Sequence, residues 1–385
     1  MNRKSFTRLG FLSLISALLF ILSMTANGAS FTADSERGEH VFDTVGCVQC
    51  HSVNGKGGGT APDLGQMVDR DFTPATLAAT MWNHAPGMWA AMRDRQIVAG
   101  ELDEQAAQDL MAFFYAARFF EKPGDAARGK RAFESRGCQG CHGLASAVNP
   151  NAKPVSKWAS LSDPIALLEA MWNHRAEMQA GAAAKGTSPP RITAQELTDM
   201  LVYLRNLPDT RTQKTGVFRI EPAASGDAVF QSAGCEKCHK SVAALATSVQ
   251  GETLTEIAAE MWNHAPLMAA AGAPAVKLAP GQMRDLVSAF WATKFFTNSG
   301  HPESGSRVFA AKNCTVCHND ASSGAPRLPA AGRQFSGASM VSVLWRHGPR
   351  MLDLMKSKGL EWPRFDGAQM ADLIAYLNSG KSGPP

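Results

Sequence analysis

The strongest apolar run in the chain is its first. "LGFLSLISALLFILSM", residues 9–24, comes after the basic "MNRKSFTR" and before the small residues of "ANGAS", which is the order of a secretory signal peptide. A signal peptide is therefore expected at 1–29, with export to a periplasm or to the extracellular side. No later apolar run is long enough to cross a bilayer, so no membrane span is expected in the mature chain. Beyond the leader the pattern is amphipathic and helical in period. "DLMAFFYAARFF" from Asp109, "DMLVYLRNL" from Asp199, "DLVSAFWATKFF" from Asp285 and "DLIAYLNSG" from Asp372 each predict an amphipathic helix. Four shorter helix-like segments precede them, "GEHVFDTVGC", "GKRAFESRGC", "GDAVFQSAGC" and "GSRVFAAKNC", each with a phenylalanine (Phe42, Phe133, Phe230, Phe309) five positions before a cysteine.

Lead helix, cysteine and closing helix recur together, so the chain reads as a tandem array with a period of 79 to 97 residues between first cysteines. Breaks at "EKPGDAARG", "LPDTRTQKTG" and "TNSGHPESG" set the expected domains at 31–122, 123–213, 214–298 and 299–385. The composition, rich in Ala, Leu and Met with 3 Tyr, favours helices. The expected fold class is all-α. Units of this size have a small core for their surface and need an added apolar centre.

The cysteines show what that centre is. All 8 fall in the pattern Cys-x-x-Cys-His: "CVQCH" 47–51, "CQGCH" 138–142, "CEKCH" 235–239 and "CTVCH" 314–318. Two thiols about a helical turn apart each add to one vinyl group of a haem, and the adjacent histidine is then held under the iron. Cys47, Cys50, Cys138, Cys141, Cys235, Cys238, Cys314 and Cys317 are thus the expected attachment points for four covalent c-type haems. His51, His142, His239 and His318 are the expected proximal ligands. With no cysteine left over, disulfide and zinc readings fall away.

Each unit resembles a class I cytochrome c domain, and the whole resembles a tetrahaem c-type cytochrome of four such domains in series. The resemblance implies crossing first and last helices, a haem between them, and usually a methionine opposite the histidine. It also implies a proline carbonyl accepting the proximal histidine's hydrogen bond, which "APDL" 61–64 and "APRL" 325–328 match. The second unit offers "VNPNAKP" there, and the third, "KSVAALATSVQ", has no proline.

A further motif lies between the two helices of each unit: "MWNHAPGM" 81–88, "MWNHRAEM" 171–178, "MWNHAPLM" 261–268 and "LWRHGPRM" 344–351. Three of its positions survive in every copy. The tryptophans (Trp82, Trp172, Trp262, Trp345) have no lone pair for iron and read as packing against the porphyrin or donating to a propionate. The histidine and the last methionine are four apart and share a face of any unbroken helix. Pro86, Pro266 and Pro349 come two residues after the histidine and are expected to kink or end the helix there. That places Met88, Met178, Met268 and Met351 as distal ligands, with His84, His174, His264 and His347 as the alternative. "HRAEM" lacks the proline and is expected to continue as helix. His40 and His301 read as surface residues.

Filled axial positions in all units point to an electron carrier and not an enzyme. The alternatives are a haem reductase or peroxidase with one open iron, or a conducting subunit of a membrane complex or filament. Of the formal net charge of +4, Arg3, Lys4 and Arg8 belong to the leader, which leaves too little basicity for a nucleic-acid binder. The expected partners are redox proteins or a membrane electron-transfer complex.

Overall fold

The computed structural model describes residues 32–65, 72–117, 123–212, 218–249, 253–297, 299–330 and 333–380. The leader lies outside them. Among the described residues the regular structure is helical apart from one short hairpin, and it falls into four sets, units 1 to 4. Unit 1 holds α1 (Ser35–Thr44), the hairpin β1 (Ser52–Val53) and β2 (Lys56–Gly57), α2 (Pro74–Asp94) and α3 (Glu104–Ala117). Unit 2 holds α4 (Ala126–Ser135), α5 (Pro164–Asn173), α6 (Arg175–Ala183) and α7 (Ala194–Arg205). Unit 3 holds α8 (Ala223–Ser232), α9 (Val242–Ser248), α10 (Leu254–Ala270) and α11 (Gln282–Phe295). Unit 4 holds α12 (Pro302–Ala311), α13 (Thr315–His318), α14 (Gly337–Ser357) and α15 (Gly367–Asn378). No described helix is long and apolar enough to cross a membrane.

One crossing organises every unit: α1 packs on α3, α4 on α7, α8 on α11 and α12 on α15. The lead sequence explains how. Its glycine and phenylalanine are four apart and share a helix face, and at the glycine the two backbones nearly touch. A Cβ on Gly38, Gly129, Gly226 or Gly305 would stand 2.0, 1.9, 2.3 and 1.9 Å from the carbonyl oxygens of Asp109, Asp199, Asp285 and Asp372. One turn later Phe42, Phe133, Phe230 and Phe309 are buried, against Phe114, Tyr203, Phe290 and Tyr376 of the closing helices.

The aspartate at the crossing has a second task. Asp109 and Asp199 accept hydrogen bonds from the Asp34 and Asp125 amides and from Arg37 and Arg128. Units 3 and 4 have Ser225 and Ser304 where the arginine stands, and the carboxyls of units 2 and 3 differ. Burial alone would raise Asp199, but Arg128, the Asp125 amide and Gln195 outweigh it and hold the carboxyl below its ordinary range. Burial pushes Asp285 up. The linkage signs are opposite. Asp199 contributes stability above the ordinary Asp value of 3.8 that is lost as pH falls through its lowered folded pKa. Asp285 favours the fold only below that value, and the contribution is lost as pH rises through its raised pKa. Asp199→Asn is expected to lower the melting temperature at pH 7 and flatten its acid slope, and Asp285→Asn to raise it; calorimetry of both variants across pH 3 to 7 checks the two signs.

The units do not touch in chain order. Unit 1 meets unit 4 where α2 packs on α14 and α15, and unit 2 meets unit 3 where α10 packs on α5 and α7. Unit 1 also meets unit 3. Ser35 and Ile220 exchange backbone and hydroxyl hydrogen bonds, Tyr115 accepts from the Leu254 amide (3.0 Å), and Phe72 stacks on Phe295 at 5.8 Å. Among the described residues the principal contacts therefore run 4–1–3–2, where a simple series was expected.

Candidate haem sites

Each attachment motif sits at the end of its lead helix, across a left-handed residue. Gly46 (φ 94°), Gly137 (φ 76°) and Gly234 (φ 73°) reverse the chain directly before the first cysteine. In unit 4 the residue is Asn313 (φ 61°), and asparagine is the side chain that best tolerates this conformation. In each motif the histidine amide then donates to the carbonyl of the first cysteine, at 2.9 Å. No two of the eight cysteines are joined in a disulfide. Burial pushes Cys47, Cys138 and Cys314 up to about 11, and raises Cys235 as well.

The histidines of the motifs are oriented by carbonyls. His51 Nδ1 donates to the Pro62 carbonyl at 2.9 Å and His318 Nδ1 to that of Pro326 at 2.8 Å, as the Pro-Leu loops suggested. His142 Nδ1 donates to Lys153, the residue before Pro154 in "NAKP", at 3.0 Å. A carbonyl only accepts, so Nδ1 carries the proton and Nε2 keeps its lone pair for a metal. His239 has no such carbonyl among the described residues. The segment that would supply one folds into α9, which packs on α11.

Opposite these rings the structure places the histidines of the repeated motif. The ring centroids of His51 and His84, of His142 and His174, and of His239 and His264 are each 6.1 Å apart. Two imidazoles on opposite sides of one metal ion, each nitrogen about 2 Å from it, bring their centroids to about 6 Å. A haem iron fits between them. Burial, together with the facing ring, keeps His84 and His239 below the ordinary histidine value, and His142 lies below it too, for burial and His174 outweigh the Lys153 carbonyl. The neutral form is the one that ligates. Unit 4 departs: among the described residues the ring beside His318 is Phe309, at 6.3 Å, and His347, exposed as His84 and His264 are, does not face it. Met351 is half-buried and packs against the core, as do Met88, Met178 and Met268. Among the described residues no three His, Cys, Asp or Glu side chains gather as a zinc site would require.

The expected helix break is absent. α2, α10 and α14 run unbroken through Pro86, Pro266 and Pro349. Proline costs a helix one backbone hydrogen bond, and in unit 1 the loss is made good from outside, for Trp362 Nε1 donates to the orphaned Trp82 carbonyl at 2.9 Å. The break falls instead in unit 2, which lacks the proline. His174 ends α5 with φ −120° and ψ 22°, its Nδ1 donating to the Ala170 carbonyl, while Arg175 Nη1 donates to the Trp172 carbonyl at 2.8 Å.

The tryptophans also differ from expectation. Their indoles reach the neighbouring unit: Trp172 Nε1 donates to Val276 (3.2 Å), Trp262 to Pro190 (2.9 Å) and Trp345 to Gly100 (2.9 Å). Trp82 stacks on Trp362 at 5.3 Å, and its buried Nε1 meets no partner among the described residues. Sequence reading also passed over the asparagine between Trp and His. Asn83 donates to the Phe365 carbonyl (2.7 Å) and accepts from the Phe365 amide (2.9 Å). Asn173 holds Leu278 (2.9 and 2.7 Å) and Asn263 holds Ile192 (2.9 and 2.9 Å) in the same way. Its presence in three of the four copies was the available signal.

The family model for cytochrome c matches residues 35–115, 126–208 and 302–381, which are units 1, 2 and 4. No curated protein and no solved structure matches the chain. The matched segments cover more than half of the sequence and carry the helix crossing and the attachment motif alike, and the protein belongs to the cytochrome c family.

Proposed function

We propose that the protein is an exported carrier of single electrons that holds four covalent haems, one in each of the domains 31–122, 123–213, 214–298 and 299–385. The observation that carries this reading is the pair of facing imidazoles, 6.1 Å apart in three units. A haem seated there supplies reversible one-electron Fe(III)/Fe(II) chemistry. The chain's residues do the rest. Cys47 and Cys50, with their counterparts Cys138, Cys141, Cys235, Cys238, Cys314 and Cys317, fix the group covalently. His51, His142, His239 and His318 hold the iron from one side. His84, His174 and His264 hold it from the other in units 1 to 3, in place of Met88, Met178 and Met268. In unit 4, where the ring beside His318 is Phe309 and not His347, Met351 is the distal ligand. Unit 3, outside the family match, is counted with the others because it repeats their crossing, their motif and their facing histidines.

Imidazole pairs lower the potential and a thioether raises it, so unit 4, at one end of the contact order, is the highest of the four. No bond is made on a substrate. Donor and acceptor are redox proteins or a membrane electron-transfer complex on the periplasmic or extracellular side, and the haem propionates carry the loaded protein to a net negative charge. Low-temperature EPR of the ferric protein is expected to show bis-imidazole signals for three haems, with the near-infrared thioether-to-iron band from one. Bands from all four would restore methionine throughout. Rapid stoichiometric carbon monoxide binding to the reduced protein would reveal an open iron and overturn the carrier reading.

A further inference from the structure

We propose that Asn83, Asn173 and Asn263 are positioning residues, each tying the distal histidine beside it to the neighbouring unit, so that two units set the axial geometry of one haem site. The proposal rests on the reading of His84, His174 and His264 as distal ligands.

Each amide bonds both the N–H and the C=O of a single backbone residue across the seam. An amide side chain carries its donor and its acceptor on separate atoms, so the two bonds to one backbone residue fix orientation as well as distance. The anchors are equivalent and buried: Ile192, Leu278 and Phe365 are 3, 6 and 5 % exposed. They stand just before the closing helices α7, α11 and α15. In the 2·3 pair the arrangement is reciprocal, Asn173 holding Leu278 and Asn263 holding Ile192, which is the self-complementary contact of a two-fold dimer. The indoles of Trp172 and Trp262 donate two residues upstream of the same anchors. The histidine comes directly after the asparagine, so a helix free to rotate at the asparagine would carry the imidazole with it. The 1·4 pair has half of this clamp. Asn83 holds Phe365, but Arg346 stands where the fourth asparagine would face Leu102, and unit 4 is the one whose motif histidine does not meet its partner ring.

The test uses the full haem-loaded protein and two substitutions of opposite sense. Asn173→Ala is expected to raise hydrogen exchange at the Leu278 amide roughly tenfold, the loss of one buried hydrogen bond, and to move or broaden the ferric EPR signal of the second haem, leaving the first and fourth unchanged. Arg346→Asn creates the missing clamp and is expected to slow exchange at Leu102 by a similar factor without loss of folding. Faster exchange with unchanged EPR would make the asparagine structural only and overturn the positioning role. Unchanged exchange in both variants would overturn the clamp itself. If the unsubstituted protein shows no bis-imidazole signal, the ligand reading fails separately, and the exchange data still judge the clamp.

Discussion

Gly305→Ala is expected to lower the thermal transition of unit 4 by more than about 10 °C, an effect comparable to that of a core truncation in a domain of this size. The added Cβ would lie 1.9 Å from the Asp372 carbonyl oxygen and 2.6 Å from the Tyr376 Cβ. Both are backbone or first side-chain atoms, so no rotamer change relieves the clash. α12 and α15 would have to part by about 1.5 Å to restore ordinary contact, and Phe309, one turn further on, would lose its seat against Tyr376. Overpacking of this kind costs about 3 kcal/mol, and each kcal/mol moves the midpoint of a domain of about 80 residues by some 4–8 °C. Calorimetry of the haem-loaded protein measures it, with the transitions resolved because a chain of several domains does not melt in one step. A shift of only a few degrees would show that the helices part easily at the crossing. The same substitution at Gly38, Gly129 or Gly226 should act alike, since the contacts there are 2.0, 1.9 and 2.3 Å.

That crossing was expected from the resemblance to cytochrome c domains, and the structure shows its determinants to be local. A glycine and a phenylalanine one helical turn apart mark a face on which another backbone lies close, and Gly46, Gly137, Gly234 and Asn313 mark the turn into each attachment motif. The seams between units were not legible, because their determinants come from residues far apart in the chain. Pro86 shows why. Read alone it removes a helical hydrogen bond and should break the helix, but the carbonyl it orphans is met by Trp362, 280 residues away. The change from "HAP" to "HGP" in the fourth motif has a cause of the same kind: a Cβ at Gly348 would stand 2.3 Å from the Trp89 ring of unit 1. Comparing the repeats identified the motif positions that matter, but it could not show that the Trp and Asn face a neighbouring unit. Nor could it rank His against Met once the assumed break was removed.

His264→Met is expected to raise the midpoint potential of one haem by on the order of 200 mV, a fraction of the roughly 0.8 V that axial ligands span. The sign comes from the ligand: a thioether favours ferrous iron, whereas an imidazole favours ferric. The size comes from exchanging one of two imidazoles and leaving the other, His239, in place. α10 is continuous through this stretch, so a methionine at 264 occupies the face from which the histidine ring meets that of His239 at 6.1 Å. The variant should also gain a thioether-to-iron band in the near infrared while the remaining haems keep their potentials. Redox titration monitored by visible absorbance reads the shift directly. The experiment separates the two candidates cleanly. If Met268 were already the ligand, removing the histidine would change the potential little, because the iron would keep the sulfur it had. A large positive shift together with a new band requires that an imidazole was lost from the iron. The converse substitution, Met351→His, should lower the fourth haem by a comparable amount and bring its potential toward those of units 1 to 3.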